Sequence, residues 1–439
     1  MMSRLRTVLS LGALSLALAA HADAQVGEAR DTLCLGALQD EAVRRDPRGR
    51  QLGLLESQSA LRLRSLGTEW LPRLDAAAQA QYQSEVVTLP FSPPGGGEPF
   101  MPHKDTYDAY LGLRQPLFDP LIGARRGIEQ AQLAESQARV RSTLYAERQV
   151  VADAYFGVLL LDAQRAELEA GIADLEAQLR VARERVDAGE ALAGEAANLE
   201  AELLRRSQAL AGIAADRSAT VAVLGSLTGR DLDGSEVLAL PDLGAAVEAA
   251  RAGPDTLRRR PEHAEFERAR DLLDSRGGEI ARRNWPRLAA MGRAGVGRPG
   301  LNPLGDEFGG YWLAGLRVEW SPFDWGRARL EREALGIQRE IVSTEEAAFA
   351  ERVQRGAVRE LATIGRIEHS LEADSAIIAL RDGVLREARL RFGEGVITSA
   401  EFVDRETDLL SARLARATHR VELARARARY LTLIGLEVE

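Results

Sequence analysis

From Pro120 to Val186 the chain runs without another proline. As a helix this stretch would be about 100 Å long, several times the width of an ordinary small domain. Within it Leu161, Leu168, Ile172, Leu175, Leu179, Ala182 and Val186 step by 7, 4, 3, 4, 3 and 4, the spacing of a coiled-coil seam. A rod of that length cannot be wrapped by a globular core; other rods must lie along it. The composition fits such narrow seams, with 45% apolar residues but only 5% aromatic ones, the apolar content being mostly alanine and leucine.

A strand leads into the rod. Residues 105–117, which run into "LGLRQPLFDP" (Leu111 to Pro120), alternate, with Tyr107, Ala109, Leu111 and Leu113 on one face and Asp108, Tyr110 and Arg114 on the other, the period of a strand with one apolar side. Upstream, an amphipathic helix stops at Asp46-Pro47 and a second helical run reaches Glu69. After Pro72, Leu74, Ala76, Ala78, Ala80 and Tyr82 share one face of another strand. Between the two strands "TLPFSPPGGGEPFMPH" is too rich in proline and glycine for either regular structure. Downstream, Gly189 interrupts the rod, and a further helix runs toward Gly229.

The second half repeats this order. Pro261 answers Pro47 and Pro286 answers Pro72 at one offset of 214 positions, while Gly395 answers Gly189 and Gly435 answers Gly229 at 206. A longer first hairpin loop accounts for the fall in offset. "LRVEWSPFDW" (Leu316 to Trp325) repeats the Phe-Asp junction, and a proline-free run follows to Phe392. Two copies of helix, strand, loop, strand, long helix, turn and helix form a duplicated hairpin; a solenoid would have a shorter period and more copies. The expected first repeat is 25–229, with strands at about 72–87 and 104–117 and helices at about 120–186 and 192–227. Residues 230–258 join it to the second repeat, 259–439, with strands at about 286–298 and 310–321 and helices at about 326–392 and 397–434.

Residues 1–24 read as an export signal: Arg4 and Arg6, an apolar run from Val8 to Ala20, and Ala22-Asp23-Ala24 before a cut at Gln25. The single cysteine, Cys34, rules out an internal disulfide and lacks the apolar preceding residues of a lipidation site; it is expected on a helix face as a small apolar residue. Beyond the signal no run of 18 apolar residues is found, so no spanning helix is expected. The remaining way into a bilayer is a closed β-barrel, because an open sheet edge leaves backbone groups unsatisfied in lipid. Four strands do not close a transmembrane barrel, for which about eight is the minimum; three chains together would supply twelve. The net charge of −9 offers no basic face for nucleic acid.

The exported chain, the duplication, "LPRL…QPLFD", "RRPE…WPRL…SPFDWG" and "RFGEGVITSAEFVD" together resemble the outer-membrane efflux ducts typified by TolC. The resemblance implies a mainly α fold with a small β portion: a homotrimer whose four strands per chain form a twelve-stranded barrel above a long α-helical barrel. It also implies an outer-membrane location in a Gram-negative bacterium. Its partners would be a periplasmic adaptor and an inner-membrane pump of the RND or ABC type, serving efflux or type I secretion. No cofactor or metal is implied.

The resemblance further assigns candidate residues. Glu401 and Asp404, six and nine positions beyond Gly395, match in charge and spacing the acids that ring the periplasmic aperture, and Glu195 holds the equivalent place in the first repeat. Six carboxylates from Glu401 and Asp404 of three chains would favour cations at the constriction. Where a latch tyrosine is seen in the family this chain has Phe392, and where a basic partner is seen it has Ile397, so the aperture latch is not carried over. Gly189, Glu190, Gly395, Val396 and Thr398 at the turns are the expected adaptor contacts, and Tyr107, Tyr311 and Trp312 the expected membrane-interface aromatics. The five histidines are scattered and no hydrolase, P-loop or metal motif occurs, so no enzyme is expected. A periplasmic coiled-coil scaffold without a pore would explain the helices and the export signal, but not four amphipathic strands.

Overall fold

The computed structural model of the chain describes residues 32–86, 101, 103–252, 259–302 and 307–438. The expected signal segment, most of the first hairpin loop and the end of the inter-repeat segment lie outside the described residues.

Strand β1 (Thr32–Leu33) leads to helix α1 (Leu35–Arg45), a short 3-10 turn (Pro47–Gly49) and α2 (Arg50–Thr68). Strands β2 (Arg73–Tyr82) and β3 (Asp105–Phe118) precede the hairpin of α3 (Pro120–Asp187) and α4 (Ala193–Thr228). After β4 (Val237–Leu238) and α5 (Gly244–Ala252), the second set runs α6 (Pro261–Arg283), β5 (Arg287–Arg298), β6 (Gly309–Glu319), α7 (Arg327–Gly393) and α8 (Ser399–Leu433). The largest departure from the expected bounds is β2, which stops at Tyr82; Gln83 N–H makes one last bond to Lys104 O at 2.7 Å.

Each of the two longest helices is held at its start by the aspartate of a Phe-Asp pair, which is the N-cap of α3 and lies two residues before the Gly326 N-cap of α7. The Asp119 carboxylate accepts Leu121 N–H at 2.9 Å, and Pro120 takes the first helical position, where no donor is required. Asp324 accepts Gly326 N–H at 3.0 Å, Ala328 N–H at 2.9 Å and Asn284 Nδ2 at 2.8 Å. Asp324→Ala strips three donors of their acceptor, whereas Asp119→Ala strips one. Each is expected to lower thermal stability by about 1 kcal/mol, with Asp324 the larger, read by helical circular dichroism.

Helices α6 and α8 lie between α3 and α7, while α2 and α4 pack along α3. Alone among the described helices, α4 is long and apolar enough to cross a membrane, against the sequence expectation. That apolar character comes largely from alanine, and its packing along α3 places it in a helical wall. The main core lies partway along the rods, where Tyr155 and Phe156 of α3 meet edge to face at 5.6 Å beside Leu38, Leu224, Ile364 and Leu431. The Tyr155 hydroxyl donates to Leu33 O at 2.9 Å, tying the parallel β1–β4 pair to the wall. Cys34 is the exposed residue preceding α1, not a member of an apolar helix face.

The four longer strands form one antiparallel sheet in the order β2-β3-β5-β6. Its register sorts the side chains cleanly. Leu74, Leu113, Gly292 and Ala314 lie in one row, and Ala76, Leu111, Ala294 and Trp312 in the next row of the same face. The opposite face carries Asp75, Asp108, Arg114, Arg293 and Tyr311. Pro116 does not end the ladder: it faces Ala289, and a register shift carries β3 on to Phe118 opposite Leu288. Leu288 in turn faces Val318, so β3 and β6 end at one level and both Phe-Asp junctions leave the sheet at the same end.

Candidate functional site

At the far ends of the rods the two hairpins turn in the same way. Gly189 (φ +76°) and Gly395 (φ +71°) adopt the left-handed conformation open to a residue without Cβ. Glu190 N–H reaches Arg185 O and Val396 N–H reaches Arg391 O, both at 2.8 Å, while the glycine amides bond Val186 O and Phe392 O, both at 3.0 Å. These paired bonds satisfy the last carbonyls of α3 and α7. Val396 is largely exposed beside its turn.

The next helices start differently. Thr398 accepts Glu401 N–H at 3.3 Å and the Glu401 carboxylate accepts Thr398 N–H at 3.1 Å, a reciprocal capping box. In the first repeat Leu192 stands at that place and has no side-chain acceptor. Glu195 and Glu401 therefore occupy equivalent first turns, one free of capping duty and one engaged in it. Asp404, a turn beyond Glu401, is exposed.

Beneath the turns lies an apolar plug. Phe392 and Phe402 stack at 5.1 Å with an interplanar angle of 18°, both fully buried among Leu175, Leu179, Leu199 and Leu385, with Ile397 against them. The position without a tyrosine hydroxyl is thus filled by ring packing. What joins the two tips is Arg185, whose Nη1 donates to Phe392 O at 2.8 Å, a cation on the negative end of α7. Sequence reading did not single out Arg185; its place one turn before Gly189 was the available signal.

One step up the rods a charge cluster crosses α3, α4 and α8. Arg206, 2% exposed, donates to Glu202 Oε1 at 2.7 Å, Glu406 Oε1 at 2.7 Å, Thr407 Oγ1 at 3.2 Å and Gly171 O at 3.3 Å. Burial pushes the Glu406 carboxyl up, and the guanidinium opposes that push. One buried guanidinium thus links α3, α4 and α8.

In the sheet, Tyr107 and Trp312 lie on the apolar face, but Tyr311 does not. One residue along β6 reverses the face, and Tyr311 Oη donates to Asp108 Oδ1 at 2.5 Å. A cluster of aromatics lies instead at the junction end: Trp70, Trp285, Trp320, Phe323 and Trp325, all exposed. Trp325 is the single non-glycine described at positive φ, 56°, and its ring meets Phe323 at 4.9 Å. A tryptophan beside three of the four strand ends (Trp70 before β2, Trp285 before β5, Trp320 after β6) was visible in the sequence.

Two sides of the molecule are left open. Strands β2 and β6 each have one unpaired edge. Along α7, Leu330, Ile337 and Ile341 step by 7 and 4 and are 58, 60 and 51% exposed; on α2, Leu54 and Leu61 are 68 and 62% exposed. Helix α2 runs into β2 and β6 runs into α7, so each open strand edge continues into an open helical stripe.

The family model described as Outer membrane efflux protein matches residues 58–230, the first hairpin unit. The fold superposes on CusC with a TM-score of 0.68, covering 92% of each chain at 15% identity. On the Neisseria gonorrhoeae MtrE outer membrane channel the TM-score is 0.65, covering 92% of this chain and 89% of that one at 19% identity. The Probable efflux pump outer membrane protein TtgC of Pseudomonas putida is 26% identical over 339 residues, 73% of this chain and 68% of its own. Residues 58–230 thus resemble the outer-membrane efflux proteins, and the fold over the rest of the described chain is that of their solved channels. The protein resides in the outer membrane of a Gram-negative bacterium and extends into the periplasm. The proteins it matches are efflux proteins and channels, not enzymes.

Proposed function

We propose that three copies of this outer-membrane efflux protein form one passive exit duct, joined through a periplasmic adaptor to an inner-membrane pump of the RND or ABC type. The observation that carries this reading is the coincidence of open edges: unpaired β2 and β6 continue into the exposed stripes of α2 and α7. Four strands must find more strands to close in lipid, and a seam of isoleucine and leucine must find an apolar partner. Closing both with further copies makes a twelve-stranded barrel over a helical barrel. The relatives' names, which speak of an efflux pump and an antibiotic efflux pump, favour small-molecule efflux over type I secretion.

In this assembly the apolar sheet face meets lipid, with Tyr107 and Trp312 on it, and the polar face lines the lumen. The junction tryptophans and Phe323 sit where the barrel ends, the place an amphipathic ring prefers. The turns at Gly189, Glu190, Gly395, Val396 and Thr398 are the adaptor contacts. Glu195, Glu401 and Asp404 crowd the opening as a carboxylate ring.

Planar-bilayer recording tests both duct and ring. The protein is expected to conduct with a preference for cations, and Glu401→Gln with Asp404→Ala is expected to raise conductance or bring the permeability ratio toward unity. Glutamine is chosen at position 401 because it retains the capping box that alanine would remove. Absence of conductance would sink the duct, whereas normal currents with unchanged selectivity in the variant would sink only the ring.

A further inference from the structure

The polar face of the sheet is not evenly charged. In its middle rows the arginine meets a carboxylate: Arg293 bonds Asp108 Oδ2 at 2.6 Å and lies 3.4 Å over the Tyr110 ring. At the junction end this balance fails. A cavity of about 230 Å³ is walled there by Arg73, Arg114, Arg125, Arg287 and Arg317. The register helps explain the hollow: Pro116 faces Ala289, which faces Arg317, so a short side chain lies between the arginines.

The same cavity has three carboxylates, Glu69, Asp119 and Glu319, and each is already engaged. Glu69 accepts Arg125 at 3.0 Å, Asp119 caps α3, and Glu319 lies 3.0 Å from Arg114 and 3.9 Å from Arg317. Among the described residues Arg73 and Arg287 form no ion pair, although Arg287 stands opposite Glu319, already bonded to Arg114, in the register. Five guanidiniums against three carboxylates leave an excess of two positive charges per chain. Guanidiniums stay charged at every accessible pH and present planar forks suited to sulfonate, phosphate or carboxylate oxygens.

We propose that this neck cavity is a binding station for soluble multivalent anions in transit, repeated in each protomer at the inner end of the barrel. The proposal rests on the duct reading, because it needs the polar face to line the lumen. Lipid phosphate is a poor occupant on the same ground: Arg73, Arg114, Arg287 and Arg317 lie on the face opposite the apolar one that meets the bilayer. Anionic cargo would thus meet favourable charge at the level where the helical barrel widens into the β-barrel.

The trisulfonated dye 8-hydroxypyrene-1,3,6-trisulfonate is a suitable probe, read by fluorescence anisotropy on the detergent-solubilised full-length protein. Saturable binding is expected at low ionic strength, fading toward about 1 M salt, where the Debye length is about 3 Å. Arg73→Gln with Arg287→Gln is expected to weaken it roughly tenfold, the scale of losing charge-assisted contacts at an exposed site. Arg73→Lys with Arg287→Lys is expected to retain most of it, and the same preparations are assayed for conductance. Protein that conducts but fails to bind, or that binds equally well in the glutamine variant, overturns the inference and leaves the duct intact. Protein that binds yet never conducts overturns the duct, and with it the role in transit.

Discussion

Arg206→Ala is expected to lower the stability of the helical wall by about 3–5 kcal/mol, the usual consequence of removing one member of a buried ion pair. Helix α8 would be left with Glu406 buried without its guanidinium, while the Gly171 carbonyl on α3 loses that donor and Glu202 on α4 keeps only Arg205. Thermal or urea unfolding followed by helical circular dichroism measures the loss. Arg206→Met with Glu406→Leu removes both charges and is expected to recover most of it, because the cost is desolvation without pairing rather than loss of a strong net attraction. A single variant no less stable than the parent would show that the cluster does not hold the three helices together.

The deficit of Arg206→Ala also has a sign in pH. Burial already raises the Glu406 carboxyl above its ordinary 4.5, and removing the guanidinium takes away what opposes that rise. A carboxyl with a raised folded pKa favours the folded state below its unfolded value, and that contribution is lost as pH climbs through the folded value. The variant is therefore expected to fall furthest behind the parent near neutral pH and to close part of the gap as pH drops toward 4.5.

Ile337→Asp combined with Ile341→Asp is expected to abolish the trimer. Both side chains lie on the open stripe of α7, more than half exposed in the single chain. Burying an isoleucine in a seam contributes about 1.5–3 kcal/mol, and an aspartate there must instead shed its water without a partner. Three copies of the seam multiply the effect. Native mass spectrometry in detergent is expected to find trimer for the parent and for Ile337→Leu with Ile341→Leu, but monomer for the aspartate variant. A persistent trimer in the aspartate variant would place the protomer contacts elsewhere.

Much of this architecture can be read directly from residues. The heptad steps of Leu161 to Val186 and the missing prolines call for rods, because nothing local breaks the helix. The alternation of Tyr107 to Leu113 calls for a strand with one apolar face. Finer features depend on partners far along the chain. Tyr311 looks like an interface aromatic next to Trp312, yet period two sends neighbours to opposite faces, and only the pairing of Asp108 with the β5–β6 hairpin shows which face Tyr311 takes. Pro116 looks like the end of a strand, but a register shift lets the ladder pass it.

The functional end divides in the same way. Glycines at 189 and 395 announce turns by themselves, and the spacing of Thr398 and Glu401 announces a cap. That Phe392 stacks on Phe402, that Arg185 crosses to the end of α7, and that Arg73 and Arg287 share a cavity with arginines some 40 residues or more from Arg73 are facts about packing. Local periodicity and turn chemistry are properties of consecutive residues, so the sequence alone determined the rods, the strands, their duplication and the points where they meet. Burial, pairing and charge balance depend on which distant surfaces come together. Only the tertiary structure could decide the faces of the sheet, the apolar plug of the tip, the buried Arg206 cluster and the two edges that the chain leaves open.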